Sequence, residues 1–369
     1  MDRYNHVTVI TSRGCPNRCS FCTVHPTVGR VNRRRSVENV IAEIENYVEN
    51  YGVKTINVED DNFSYDFKRA NQILDALIER DWDISFNLPN GITAINIDED
   101  MIRKYGKVKM DESFIGLETV EKSRLKKISK PFTSLERVAY LADLFKKYGM
   151  HVGASLIVGF PDQTIDDMIN DIICLVDRNI EFGTANPLYP MPMTELYAEC
   201  INKGYISETL DYTWFDEFNF PLHTDCYTRR DMYDIWSCSL VYDYYTEMLD
   251  IMKKGFGEEE QIIRLFNELG YGTAFKTNSG IYCIPNCKDT FSSKMLTNNY
   301  NHHSNIFVDF ITGDIIANLF SLYTGNRYEA WQTESSLTPN GRVAFVIRKE
   351  SDQLDNVAGK LANAIHGHH

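Results

Sequence analysis

The sequence predicts an α/β protein: a partial barrel of six βα units over residues 1–200, then a helical extension and a small α+β region. Three observations predict it. Short apolar runs alternate with amphipathic stretches about every 30 residues. Ser, Gly and Pro punctuate those runs where helices and strands should start and stop. Beyond about residue 200 the alternation gives way to a different pattern.

The elements follow in order. Val7 to Ile10 reads as the first strand and runs directly into a cysteine-bearing loop. Ser36 opens a helix with Val37, Val40, Ile41, Ile44 and Val48 on one face, and Gly52 ends it. Lys54 to Val58 gives the second strand, and a helix over Phe67 to Arg80 follows. Ile84 to Leu88 is the third strand, with a short helix near Glu99 to Tyr105 behind it. Ser113 to Leu117 is the fourth, followed by a helix from about Leu135 to Tyr148. His151 to Val158 is the fifth, with a helix from Ile165 to Val176. Thr184 to Leu188 is the sixth.

Six such units imply parallel strands, and right-handed crossovers would curl them into an open barrel. A flat doubly wound sheet is the competing arrangement. In both, functional groups belong at the C-terminal ends of the strands. The cysteine loop, Glu59-Asp60-Asp61-Asn62, Asn87, Glu118 and Gly159 fall there. Residues 201–257 read as a helical extension, with a long aromatic-rich helix over Asp231 to Lys254. Residues 258–369 read as a small C-terminal domain or cap.

Composition narrows the function. Of 369 residues, 43% are hydrophobic and 24% charged, ordinary values for a globular domain. A net charge of −14 argues against nucleic acid as a partner, since phosphate recognition needs clustered Lys and Arg. Arg33-Arg34-Arg35 is a local exception that could pair with acidic groups of a substrate or of the protein itself, and the second reading is favoured. No run is long and apolar enough to span a membrane, and the first residues lack a secretory h-region. These features point to a cytoplasmic protein. Nine cysteines are too sparse for a disulfide scaffold.

Three of the nine sit in Arg13-Gly14-Cys15-Pro16-Asn17-Arg18-Cys19-Ser20-Phe21-Cys22, spaced CxxxCxxC. Thiolates are the preferred ligands of iron–sulfur clusters, and three on a short loop can reach three corners of a cube. The fourth iron would stay open to a small ligand. A zinc site with His25 as fourth ligand is the competing reading, although the spacing departs from paired CxxC knuckles. Cys174 reads as a buried core thiol. Cys226, Cys238, Cys283 and Cys287 could in principle ligate a second cluster, with Cys283-Ile284-Pro285-Asn286-Cys287 as its core.

Thr11-Ser12-Arg13-Gly14-Cys15 through Cys22, with an aromatic before the last cysteine, resembles the cluster loop of radical S-adenosylmethionine (SAM) enzymes. The resemblance runs over roughly residues 7 to 200. Glu59-Asp60-Asp61-Asn62-Phe63 resembles the segment lying near the methionine amino group. Gly116-Leu117-Glu118-Thr119 resembles the fourth-strand motif, and Ile157-Val158-Gly159-Phe160-Pro161-Asp162 the fifth-strand motif beside adenine. Tyr189-Pro190-Met191-Pro192-Met193-Thr194 resembles a sixth-strand segment that is usually Pro-Gly-Thr, with Met193 standing at the glycine position.

The resemblance implies a partial (β/α)6 barrel of radical SAM type and a [4Fe-4S] cluster held by Cys15, Cys19 and Cys22. It implies reductive cleavage of SAM and hydrogen abstraction from a small-molecule or peptide substrate, with methylation, cyclisation, epimerisation and rearrangement all open. Phe21 would shield the cluster and adenine; Glu59 and Asp61 would meet the ammonium. Asn87 would bond a ribose hydroxyl, Glu118 the ribose or methionine, and Gly159 would admit adenine close to the backbone. An electron donor such as a flavodoxin or ferredoxin is the implied protein partner. The subgroup with the most similar motifs includes cobalamin-dependent enzymes and oxidative cyclases, whose cobalamin-binding domain precedes the loop. Only 14 residues precede Cys15 here, too few for that domain, so cobalamin is a possible cofactor of this chain and not one the resemblance requires. The alternative function is a non-catalytic iron–sulfur protein with a structural or electron-transfer cluster.

Overall fold

The computed structural model describes residues 5–207 apart from 111, 179 and 181. Beyond 207 it describes 220–222, 224–229, 231–233, 235–236, 239, 258–268, 272–277, 280–285, 316–321, 328–334 and 344–349. The chain divides into two compact units. One comprises residues 1–161, 174–182 and 188–215; the other comprises 162–173, 183–187 and 216–369.

In the first unit, β1 (His6–Val9) pairs in parallel with β4 (Thr55–Val58), and β4 pairs in parallel with β5 (Ser85–Asn87). Farther along, β6 (Glu112–Glu118) pairs in parallel with β7 (His151–Val158). A single parallel bridge, Ile92 to Ile115, joins the segment after β5 to β6. Strand neighbours therefore follow chain order, whereas a doubly wound sheet would reverse its order partway. The β7 burial pattern alternates, with Val152, Ala154, Leu156 and Val158 all buried. That period of two is what a pleated strand imposes on an apolar run.

The crossover helices start where their capping residues stand. Ser36 accepts from the Asn39 amide to open α2 (Val37–Tyr51), and Gly52 closes it in the left-handed region at φ 66°. Asp66 caps α3 (Phe67–Arg80), Asp98 caps α4 (Glu99–Lys107) and Ser134 caps α6 (Leu135–Lys147). Each turns an apolar stripe inward: Val40, Ile41 and Ile44 in α2; Ala70, Ile73, Leu74 and Leu77 in α3; Val138, Leu141 and Phe145 in α6. At roughly 1.5–3 kcal/mol for each fully buried large aliphatic, these stripes outweigh the caps in holding the helices. α7 (Ile165–Asp177) and β8 (Phe182–Pro187) follow.

Several short elements have no periodicity to announce them. β2 (Ser12–Arg13) and β3 (Arg33–Arg34) form a two-residue antiparallel ladder across the cysteine loop. α1 (Val24–Thr27), α5 (Lys122–Lys127) and α8 (Glu195–Asn202) are likewise extra to the sequence reading.

In the second unit a helix over Glu259–Glu268 precedes four strands. These are β9 (Gly272–Thr277), β10 (Gly280–Pro285), β11 (Tyr328–Glu334) and β12 (Ala344–Lys349). They form an antiparallel sheet of order β11-β12-β10-β9. Asn267 clamps the helix to β9, accepting from the Ala274 amide at 2.6 Å and donating to its carbonyl at 2.8 Å. The long helix expected over 231–254 falls largely outside the described residues. Among the described residues, no helix is long and apolar enough to cross a membrane.

Candidate active site at the cysteine loop

The loop joining β1 to α2 is built on a buried carboxylate. Asp60, 3% exposed, accepts from the Thr11 amide at 2.6 Å and the Ser12 amide at 2.9 Å. It also accepts from the Thr11 hydroxyl at 2.5 Å and the Ser12 hydroxyl at 2.7 Å. Behind it Arg69, itself buried, donates to the Thr11 carbonyl at 2.9 Å and to the Arg35 carbonyl at 2.8 Å. The neighbouring Asp61 accepts from the Gly14 amide at 2.6 Å, and Asn62 donates to the Cys15 sulfur at 3.7 Å. The acidic run after β4 thus fixes the chain entering the cysteine motif.

Gly14 makes that entry geometrically possible. Its φ is 91°, and a Cβ there would lie 2.3 Å from the Val31 carbonyl oxygen and 2.9 Å from that of Gly29. Both obstacles are backbone. Gly14→Ala is therefore expected to cost roughly 2–4 kcal/mol and to release the loop. Chemical denaturation would measure it, and an unchanged midpoint would rule the close approach out. Farther along, Ser20 donates its amide to the Ile128 carbonyl and accepts from the Leu196 amide, both at 3.1 Å.

Cys15 is buried, Cys19 and Cys22 are half-buried, and all three are free thiols. Burial pushes the Cys19 thiol up to about 11, against the lowering field of Lys130; Cys22, Glu118 and Cys15 add to the rise. Burial also raises Cys22, with the Val24 backbone opposing and Cys15 and Asp61 reinforcing. The three thiols are thus near enough to influence one another. Among the described residues, no three His, Cys, Asp or Glu are grouped to hold a single metal ion. Three free cysteine thiols on one short loop are the donor type a [4Fe-4S] cluster takes, one sulfur to each iron, so this donor set fits it.

The other candidates occupy the strand ends. Phe21 meets Phe160 edge to face at 6.4 Å between ring centroids, beside Gly159, whose φ is 88°. Asn87 stands opposite Asn57 across β4 and β5, and their side chains are joined at 3.5 Å. Glu59 is half-buried, and its amide donates to the Val9 carbonyl at 3.0 Å. Glu118 ends β6 in the left-handed region, φ 71°, at a register shift from Gly116. It is buried and bonded to the buried Lys130. A Cβ on Gly116 would lie 2.7 Å from both charged atoms, so glycine leaves room for the pair.

The residues that sequence reasoning missed are Asp60, Arg69 and Lys130. The first is adjacent to chosen candidates; the other two sit in polar stretches with no motif. Arg34 pairs with Asp66, and Arg35 with Glu43, as the structural reading of the arginine run expects. Arg33 differs: it donates to the Val28 carbonyl at 2.9 Å. Met193 adopts φ 68°, taking the left-handed turn that glycine would take, with its side chain 75% exposed. Cys174 is half-buried rather than fully buried, because its helix turns that position partly outward. Cys283 is buried in β10 and burial pushes it up to about 12; Cys226 is half-buried. Cys238 and Cys287 lie outside the described residues.

Comparison with known proteins agrees with this geometry. The radical SAM superfamily profile matches residues 9–173. Over 202 residues the chain is 27% identical to cytidylyl-2-hydroxyethylphosphonate methyltransferase of Streptomyces wedmorensis, covering 53% of this chain and 38% of that protein. Over 193 residues it is 30% identical to an uncharacterized methyltransferase of Pyrococcus horikoshii, covering 52% and 41%. The chain thus spans about two fifths of the length of these relatives. Among solved structures, the radical SAM methyltransferase TsrM of Kitasatospora setae, with tryptophan and a SAM analogue bound, superposes with a TM-score of 0.50. Its identity is 18%, over 57% of this chain and 42% of that one. That likeness supports a partial TIM-barrel-like α/β fold. The cysteine loop after β1 lies inside that match, so residues 9–173 carry a radical SAM domain.

Proposed function

We propose that this chain cleaves SAM reductively and directs the resulting radical at a C–H bond of a small-molecule or peptide substrate. The observation that carries the reading is the trio of free, partly buried thiols on one loop, anchored by Asp60 at the C-terminal ends of parallel strands. Cys15, Cys19 and Cys22 would hold the cluster. When bound, it supplies the single electron that breaks the carbon–sulfur bond of SAM.

The chain's own groups supply orientation and shielding. Asp60 and Arg69 hold the entry to the loop, and Asp61 fixes the Gly14 amide. Phe21 and Phe160 form an apolar wall that limits water at the loop. Glu118 and Lys130 present a neutral pair beside Cys19, and we assign Glu118 to the ribose or methionine end of SAM. Asn87 and Glu59 would contact its hydroxyl and ammonium groups, and Gly159 its adenine. Methyl transfer is the outcome favoured by the two curated relatives, both named as methyltransferases. Cobalamin is a further possible cofactor of this reading.

The test is anaerobic. After reconstitution with iron and sulfide, SAM and a strong reductant are expected to yield 5′-deoxyadenosine by mass spectrometry. Cys19→Ala should abolish both product and stable iron binding while leaving the circular dichroism spectrum unchanged. A fully loaded parent protein that binds SAM without cleaving it would instead support the electron-transfer reading.

A further inference from the structure

The parallel strands of the first unit have two unlike faces. Ile56, Phe86, Ile115 and Ala154 alternate onto one of them and are at most 1% exposed. Parallel strands covered by helices on both faces carry nearly continuous apolar runs; these alternate, so their second face looks onto open space. On β4 and β5 that face bears half-buried polar residues, Thr55 opposite Ser85 and Asn57 opposite Asn87. On β6 and β7 it bears Phe114 opposite Gly153, and Gly116 opposite Ser155. None of these residues is charged, on a chain of net charge −14.

Phe114 stands out on this face. It is 38% exposed, whereas Phe86 on the covered side of β5 is fully buried. Among the described residues it has no ring partner. A Cβ on Gly91 would lie 2.6 Å from the ring, so glycine is what lets the ring lie there. Gly153 across the ladder and Gly116 along the strand leave its neighbouring positions bare. The Ser113 hydroxyl donates to the Leu88 carbonyl at 3.3 Å, and the Ile92 amide donates to the Phe114 carbonyl at 2.7 Å. The ring therefore stands beside the turn that follows Asn87, and Asn87 donates to Asn57 at 3.5 Å. Among the described residues, the Asn57 side-chain nitrogen and the Thr55, Ser85 and Ser155 hydroxyls make no hydrogen bond.

We propose that Phe114 and Asn57 form a substrate subsite, and that the substrate presents to it a neutral, planar, unsaturated ring with an amide-type edge. The proposal rests on the radical SAM reading and adds the class of molecule acted on. An exposed ring bordered by glycines offers a flat face, on which a flat ligand stacks better than a saturated one. The Asn57 amide carries donors and an acceptor, the complement of another amide edge. An ion of either sign would leave water for a face without a counter-charge, since Lys130 is already paired with Glu118. An exposed aromatic with a few placed polar groups is the usual make-up of a small-molecule site.

The experiment titrates four matched probes onto the full chain, reconstituted and saturated with SAM: benzamide, cyclohexanecarboxamide, benzoate and benzamidine. Ligand-detected NMR reads their affinities. Benzamide is expected to bind at least about fivefold more tightly than each of the other three. Phe114→Leu, which keeps an apolar side chain, should weaken benzamide at least about fivefold, and Phe114→Tyr should restore most of the loss. Asn57→Leu should weaken benzamide comparably. Circular dichroism should match the parent in each variant, and SAM affinity should be unchanged in Phe114→Leu. No benzamide binding by the parent, equal or tighter binding of any other probe, or undiminished binding in Phe114→Leu would overturn the proposal. So would a parallel loss of SAM affinity in Phe114→Leu, which would give the ring to the adenine of SAM itself. The radical SAM reading is checked separately, by 5′-deoxyadenosine formed by the parent with dithionite. Absence of that product would count against the reading, whereas the probe ranking decides the subsite.

Discussion

Asp60→Ala is expected to lower the stability of the first unit by roughly 3–5 kcal/mol and to strip the protein of iron after reconstitution. The carboxylate is buried and accepts four hydrogen bonds, two from amides and two from hydroxyls of Thr11 and Ser12. Truncation leaves those donors in a space that water does not readily reach. It also removes a negative charge that supports Arg69, whose pKa burial lowers and Asp60 raises. Asp60→Asn separates charge from shape. One oxygen can still accept both amides, and the hydroxyls can rotate to accept from the new NH2, so a loss of about 1–2 kcal/mol is expected. Urea titrations and iron assays measure both variants. An alanine variant as stable as the parent would remove Asp60 from its place under the loop.

Lys130→Met should be nearly as damaging, by a different route. It leaves Glu118 buried without its cation, a situation that costs about 3–5 kcal/mol where the carboxylate cannot reach water. The double variant Lys130→Met/Glu118→Gln removes both charges and should recover most of that loss. Calorimetric SAM titrations give the functional side: both variants should bind SAM more weakly if Glu118 meets it. A single variant no less stable than the double would show that the pair is not coupled.

Strands and helices of the first unit were legible because their signals are local. Val152 to Val158 alternates, and Ser36, Asp66 and Ser134 stand where caps belong. The cysteine triplet was legible because a cluster loop keeps its ligands within a few residues. The support beneath it was hidden, since Asp60 meets Thr11 across 49 positions and reads in sequence as one solvated acid among three. Lys130 lies in a polar turn whose burial depends on β6 ending in a left-handed residue, which propensity does not foretell. The two-residue β2–β3 ladder is shorter than any period.

Ser20 carries a consequence for how the protein assembles. Its amide and carbonyl are tied to Ile128 and Leu196, which arrive on the ribosome long after the cysteines. The cluster loop is therefore a feature of high contact order, and its final shape waits on distant chain. An excised peptide carrying Cys15 to Cys22 would lack both tethers and the Asp60 anchor. Iron loading should accordingly follow folding of the first unit, and a nascent chain cut short before Leu196 would present its thiols loosely, exposed to oxidation before they could receive metal.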